Sequence, residues 1–256
     1  MLGAAREGRG PRLVLVHGFT QTRDCWGSLG ADLAADHEVV RVDAPGHGSS
    51  SDVAVDLWQG AELVAEAGGQ ATYVGYSMGG RLVLHLALAR PEVVRGLVVV
   101  SATAGIDDPE ERSRRADEDE ARARLLEERG VDAFLERWLA QPLLAGVPDE
   151  HRCLDARRSN TARGLASSLR LAGAGVQEPL WPRLGALAMP VLVVAGATDA
   201  AYVGHARRLV GSIGAAATLA VVPGAGHAVH LEAPGPCATV VRRWLAAHQA
   251  GPSAAP

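Results

Sequence analysis

Ala71-Thr72-Tyr73-Val74-Gly75-Tyr76-Ser77-Met78-Gly79-Gly80-Arg81-Leu82-Val83-Leu84-His85-Leu86-Ala87-Leu88-Ala89-Arg90-Pro91 reads as a buried strand, a sharp turn and a helix in direct succession. The stretch Ala71–Val74 is short and rich in β-branched and aromatic residues, the composition of a strand. Arg81 to Arg90 suits a helix, and Pro91 stops it. Between them Gly75-Tyr76-Ser77-Met78-Gly79 forms a G-x-S-x-G motif. At a strand-to-helix junction this is a nucleophile elbow: glycines remove Cβ atoms from a turn too tight for them, and the serine hydroxyl rises above the sheet edge. The bare motif is common, so its weight comes from the rest of the chain.

Working outward, short β-rich runs recur, each followed by a loop and a helical stretch. They are Arg12–His17, Glu38–Asp43, the elbow strand, Gly96–Ser101, Pro190–Ala195 and Ala217–Val222. These runs are nearly continuous in apolar residues, as parallel strands covered on both faces must be. A mostly parallel, doubly wound α/β sheet is the expected architecture. The rhythm breaks between Ile106 and Arg183, where helical signals dominate. Asp108-Pro109-Glu110-Glu111 reads as a helix start leading to Arg129 and ending at Gly130, and Asp132–Leu139 reads as a second helix stopped by Pro142. We therefore expect core residues 1–105, a helical lid over 106–183, core again over 184–250, and a disordered tail over 251–256.

Composition narrows the function classes. The chain of 256 residues is 48% hydrophobic with a formal charge of −4, an ordinary globular balance. All 25 basic residues are arginines, but they alternate with acidic residues and form no nucleic-acid-binding block. No apolar run reaches membrane-spanning length, and the first residues lack the apolar core of a signal peptide. Cys25, Cys153 and Cys237 are scattered and odd in number, reading as free thiols of a cytoplasmic protein without metal-ligand spacing. Monomer and homo-oligomer are both compatible with the sequence.

Serine needs a base to take its proton, and the base needs a third group to fix its tautomer. In an α/β-hydrolase fold these follow in the order Ser, acid, His. The chain offers Asp199 in Gly196-Ala197-Thr198-Asp199 and His227 in Gly224-Ala225-Gly226-His227, each just past a late strand. Asp199 has a rival role as a helix cap and a rival acid in Asp107; His227 competes with His230, His205 and His85. The glycines flanking His227 let its loop fold back toward Ser77, which favours it. Oxyanion donors are expected from the Met78 amide and from the Phe19 amide in His17-Gly18-Phe19-Thr20. His17 and His47 read as structural loop histidines.

The arginines point to the substrate. Arg81 lies one helical turn beyond Ser77. Arg112, Arg114 and Arg115 form one group in the lid and Arg157 and Arg158 another, followed by Arg163 and Arg170. Guanidinium forks grip carboxylates, so a serine site among arginines suits a small polycarboxylate better than a lipid ester. The first group also has a plainer reading as a solvated helix, because Asp117 to Glu120 follow at once. Arg81 and Arg158 have fewer local acidic partners.

At this point the chain resembles the 2-succinyl-6-hydroxy-2,4-cyclohexadiene-1-carboxylate synthase (MenH) family of α/β hydrolases. The resemblance is carried by Leu15–Thr20, Asp43–Gly48, Gly75–Leu82, Glu111–Asp117, Arg163–Arg170, Gly173–Gln177, Leu180-Trp181, Gly196–Asp199 and Gly224–Glu232, nearly the whole chain. The Ser-Met-Gly-Gly-Arg elbow and the arginine-bearing lid are its specific part. It implies elimination of pyruvate from 2-succinyl-5-enolpyruvyl-6-hydroxy-3-cyclohexene-1-carboxylate in menaquinone biosynthesis, with Ser77 activated by His227 as the base and Arg81, Arg115 and Arg158 holding carboxylates. Tyr76 and Trp138 are expected at the pocket wall, with a core role as the alternative for Trp138. No metal or organic cofactor is implied. Two departures stand out: a leading sheet hairpin that reads as shortened or absent, and an acid loop, Asp199-Ala200-Ala201-Tyr202, without the family's basic residue. The competing readings are a hydrolase of the same fold, cleaving an ester or C–C bond in a small acid, and a ligand receptor with vestigial catalysis.

Overall fold

Seven strands form one sheet in the computed structural model, which describes residues 1–249. The tail expected over 251–256 lies outside the described residues. The strands are β1 (Ala4–Glu7), β2 (Arg12–Val16), β3 (Glu38–Val42), β4 (Ala71–Tyr76), β5 (Val94–Val100), β6 (Val191–Gly196) and β7 (Ala217–Val222), in the order β1-β3-β2-β4-β5-β6-β7. All neighbours run parallel except β1, which pairs antiparallel with β3 in the register Ala4↔Val42 to Glu7↔Val39. This is the mostly parallel α/β-hydrolase sheet read from the sequence. The leading hairpin, expected to be shortened or absent, is reduced to a four-residue strand, β1, which pairs with β3 and not with β2. Ala-Ala-Arg-Glu carries no apolar run because an edge strand buries little: its residues alternate between exposed and half-buried.

Successive residues of the inner strands feed two cores. Val14, Tyr73, Leu97 and Val193 face one layer, with α2 (Leu57–Gly68), α3 (Met78–Ala89) and α7 (Ala200–Ile213). Leu13, Val74, Val98 and Val194 face the other, with α1 (Gly27–Leu33), the short α8 (Val229–Glu232) and α9 (Pro234–Gln249). Both halves of each strand are thus apolar, which is why period-two alternation is missing from the sequence.

Between β5 and β6 the chain leaves the sheet. Helix α4 (Pro109–Leu139) starts with Asp108 accepting from the Glu111 amide at 2.8 Å and breaks at Gly130, whose φ of 78° is non-helical. Its two arms correspond to the two helices expected on either side of that glycine. α5 (Leu154–Arg158) and α6 (Ala162–Ala172) follow. α4 and α6 share a small apolar core of Ala123, Leu126, Phe134, Leu165 and Leu169. Arg170 clamps the pair by bonding Glu120 at 2.8 Å and Glu127 at 2.6 Å. Among the described residues no helix is long and apolar enough to cross a membrane.

The elbow is fixed by close backbone contact. A Cβ on Gly79 would collide with the carbonyls of Val16 and His17, and one on Gly75 with the Gly79 carbonyl. Gly79→Ala is therefore expected to cost at least ~1–3 kcal/mol of stability through overpacking. Gly204, inside α7 with nothing within 4 Å of an added Cβ, is the control. Gly204→Ala should gain about 0.5–1 kcal/mol through helix propensity. Urea denaturation measures both, and a Gly79→Ala variant as stable as the parent would contradict the packing account.

Candidate active site

Ser77 joins β4 to α3 with φ 51° and ψ −108°, a conformation L-residues seldom adopt. Its amide is pinned to the Val100 carbonyl at 2.9 Å, and the tight turn directs the hydroxyl off the sheet. His227 follows β7, on a loop opened by Gly224 at φ 72°. Glu232 braces that loop, accepting from the amides of Gly226 at 2.7 Å and Ala228 at 2.9 Å, one on each side of the histidine. His227 Nε2 lies 3.0 Å from Ser77 Oγ, and Nδ1 lies 3.0 Å from Asp199 Oδ2. Nδ1–H donating to Asp199 leaves Nε2 free to accept the serine proton, the geometry of an acyl-transfer or proton-abstraction triad.

Asp199 fills both roles that the sequence offered it. Oδ1 caps α7 by accepting from the Tyr202 amide at 3.2 Å, while Oδ2 holds the imidazole. Burial works to raise its carboxyl, but the hydrogen bonds from His227 and the Tyr202 amide outweigh burial and hold it below the ordinary carboxylate range. The rival Asp107 is instead paired with Arg208 at 2.5 Å. His85 donates to the Arg81 carbonyl at 2.7 Å and packs on Trp58, and His230 is buried against Tyr76 with ring centroids 4.3 Å apart. His205 lies against Tyr202, half-buried at the cavity.

Ser77, His227 and the insertion line a cavity of about 450 Å³. Phe19 and Met78 both line it. Met78 opens α3, so its amide has no intrahelical acceptor, and no hydrogen bond among the described residues uses the Phe19 amide. Tyr76 lines the cavity beside His227. Trp138 does double duty, lining the cavity while stacking on Phe134 at 5.8 Å and meeting Phe19 edge-on at 5.1 Å.

The arginines divide clearly. Arg81 is buried on the cavity wall and gives one Nη1 bond of 3.0 Å to the amide oxygen of Gln177. Burial and the nearby Arg115 charge push its pKa down to about 10, so it remains a cation at neutral pH. Arg115 lines the cavity but shares the buried carboxylate of Asp119 with Arg122, both at 2.9 Å. Arg158 does not line the cavity: its side chain is 54% exposed and pairs with Asp132 at 2.9 Å. Its neighbour Arg157 lines the cavity instead, 2% exposed, with its guanidinium on the Arg152 carbonyl and the Thr20 hydroxyl. The two residues are adjacent on a five-residue helix, and neither composition nor spacing distinguishes the buried one. Among the described residues neither Arg81 nor Arg157 is paired with a carboxylate. No cluster there of three or more His, Cys, Asp or Glu has the arrangement of a metal site.

Residues 13–240 match the Alpha/beta hydrolase family model. The chain is 30% identical over 244 residues to the 2-succinyl-6-hydroxy-2,4-cyclohexadiene-1-carboxylate synthase of Serratia proteamaculans, covering 92% of this chain and 93% of that one. Over 232 residues it is 30% identical to the synthase of the same name from Escherichia coli, covering 88% and 89%. The chain belongs to the MenH family of alpha/beta hydrolases. The structure of MenH from S. aureus superposes with a TM-score of 0.89 at 26% identity, covering 96% of this chain and 98% of that one. Protein PHYLLO of Arabidopsis thaliana is 29% identical over 91% of this chain, which spans 15% of that much longer protein. The MenH family is one of enzymes, and in this member Ser77, His227, Arg81 and Arg157 line one cavity.

Four other histidines, each buried, have strongly lowered pKa values. Burial pushes His17 and His85 down to about 4 and His47 and His230 down to about 3. Each is neutral in the fold but protonates near pH 6.5 once unfolded, so the unfolded state binds more protons and stability falls as pH drops. Unfolding at pH 5 is expected to take up about four protons from this group. The slope of unfolding free energy against pH between 6.5 and 4 measures this; a flat profile would contradict it.

Proposed function

We propose that this protein eliminates pyruvate from 2-succinyl-5-enolpyruvyl-6-hydroxy-3-cyclohexene-1-carboxylate to give 2-succinyl-6-hydroxy-2,4-cyclohexadiene-1-carboxylate in menaquinone biosynthesis. The observation that carries the reading is a pair of buried arginines without carboxylate partners facing a serine–histidine–aspartate array. Burying a guanidinium without a counter-ion costs several kcal/mol, a cost that a dianionic or trianionic ligand would offset. Neutral esters would leave both charges unsatisfied.

His227 takes the Ser77 proton, and the serine oxygen removes the ring proton α to the succinyl carbonyl. The electron pair of that C–H bond forms a new ring double bond, the existing one shifts by one position, and the C–O bond to the enolpyruvyl group breaks. Pyruvate leaves as its enolate and takes up a proton. Charge developing on the succinyl oxygen meets the amides of Phe19 and Met78. Arg81 and Arg157, with Arg115 at the rim, hold the carboxylates; Tyr76 and Trp138 close the wall. In this reading residues 106–183 are a lid, and their arginines make substrate binding depend on its closure. Three cysteines without disulfides suit the cytoplasm.

Pyruvate release above the spontaneous background tests the proposal. Ser77→Ala is expected to lose ~10²–10⁴-fold in kcat as its base is removed. Arg81→Ala should lose roughly 10–100-fold in kcat/KM, the worth of one charge-assisted contact. No release by the parent protein would sink the synthase, and fast ester turnover insensitive to Arg81→Ala would favour a hydrolase.

A further inference from the structure

Thr20 is a β-branched residue held at φ 65°, fully buried, one position after Phe19. It occupies the second corner of a turn closed by the Gln21 amide on the Gly18 carbonyl at 3.1 Å. A positive φ at that corner is ordinarily supplied by glycine or asparagine, and in threonine it costs of order 1–3 kcal/mol. Such a conformation persists only where the surroundings over-determine it, and here they do. The Thr20 amide donates to His47 Nε2 at 3.3 Å, its carbonyl accepts from Asn160 Nδ2 at 2.8 Å, and its hydroxyl accepts from Arg157. Two of these three groups come from the helical insertion, about 140 residues away along the chain. Asn160 is itself 5% exposed and locked, with Oδ1 accepting from the Gly48 amide at 2.8 Å and Nδ2 also donating to the Arg157 carbonyl at 2.9 Å.

We infer that Asn160 and Arg157 are positioning residues that hold the oxyanion hole in its working shape by latching Thr20. The inference rests on the reading of the Phe19 amide as an oxyanion donor. Every polar group of Thr20 is engaged, so the turn cannot relax to negative φ while the latch is made. Release would let the turn closed by Gln21 on Gly18 open, and the Gly18–Phe19 peptide, which carries the Phe19 N–H, would then swing off its aim. Displacements of about 1 Å at such a donor cost on the order of 10²-fold in rate. The same side chains belong to the insertion, so the hole is complete only when the segment from α5 to Asn160 is seated on the core. Docking of the insertion and competence of the hole become one event.

The test uses a fluorophosphonate that reacts covalently with Ser77, because its phosphoryl oxygen gains charge in the hole and it needs none of the enolpyruvyl substrate. Asn160→Asp keeps the acceptor for Gly48 but sets an oxygen against the Thr20 carbonyl; Thr20→Val deletes the hydroxyl, and Thr20→Ser restores it. Asn160→Asp and Thr20→Val are expected to lower the maximal labelling rate by ~10–100-fold with the half-saturating concentration changed by less than ~2-fold. Thr20→Ser should label within ~3-fold of the parent rate. Unfolding midpoints well above the assay temperature exclude collapse as the cause. An unchanged maximal rate in Asn160→Asp, or a loss that appears only in the half-saturating concentration, would overturn the latch. Normal labelling behaviour of this pattern together with no pyruvate release would uphold the latch and remove the synthase reading alone. A parent protein inert to the reagent would overturn the oxyanion-hole reading and the latch with it.

Discussion

Ser77 at φ 51° is the constraint on which the remaining geometry depends. That conformation exists because β4 and α3 approach too closely for side chains, with Gly75 and Gly79 packed against backbone carbonyls. The hydroxyl is thereby placed at the carboxyl ends of the strands, where the loops after β6 and β7 deliver Asp199 and His227. A second turn with positive φ, at Thr20, flanks the same cavity and is stabilised by side chains rather than by glycine. The two strained turns solve one problem in different ways. One is built into the sheet and rigid; the other is completed by a distant segment and so is conditional.

Electrostatics explain why the insertion carries so much charge. Most of its arginines serve the insertion itself: Arg170 ties α4 to α6, Arg122 and Arg124 pair along α4, and Arg158 closes on Asp132. Exposed pairs of this kind are worth about 1 kcal/mol or less each. Arg81 and Arg157 differ in kind, being buried and matched only by neutral oxygens from Gln177, Thr20 and the backbone. Neutral acceptors fix the orientation of a guanidinium without cancelling its charge. A carboxylate in their place would be more stabilising to the resting protein and would leave nothing for a ligand.

Much of this was legible in the sequence because it rests on local chemistry. The elbow, the six parallel strands and the break at Gly130 follow from glycine, proline and β-branched residues that act within a few positions of themselves. The candidate positions of Ser77, Asp199 and His227 followed from strand order, and the structure brings these three together within hydrogen-bond distance. Strand β1 was hidden because an edge strand needs no apolar run. Arg157 was hidden behind Arg158 because the choice between adjacent residues is made by what packs over a five-residue helix, here Thr20 and the Arg152 carbonyl. Glu232 and Asn160 act across loops that converge only after folding, and no spacing in the chain marks either as a brace.

In the proposed reaction Ser77 and His227 remove a carbon-bound proton and do not attack a carbonyl. Single-turnover pyruvate release from substrate deuterated at the ring carbon bearing the succinyl group addresses it directly. A primary kinetic isotope effect on pyruvate formation is expected, because that C–H bond must break before the enolpyruvyl oxygen can leave. Equal rates for the deuterated and undeuterated substrates, with a serine-bound acyl intermediate trapped in either, would contradict it.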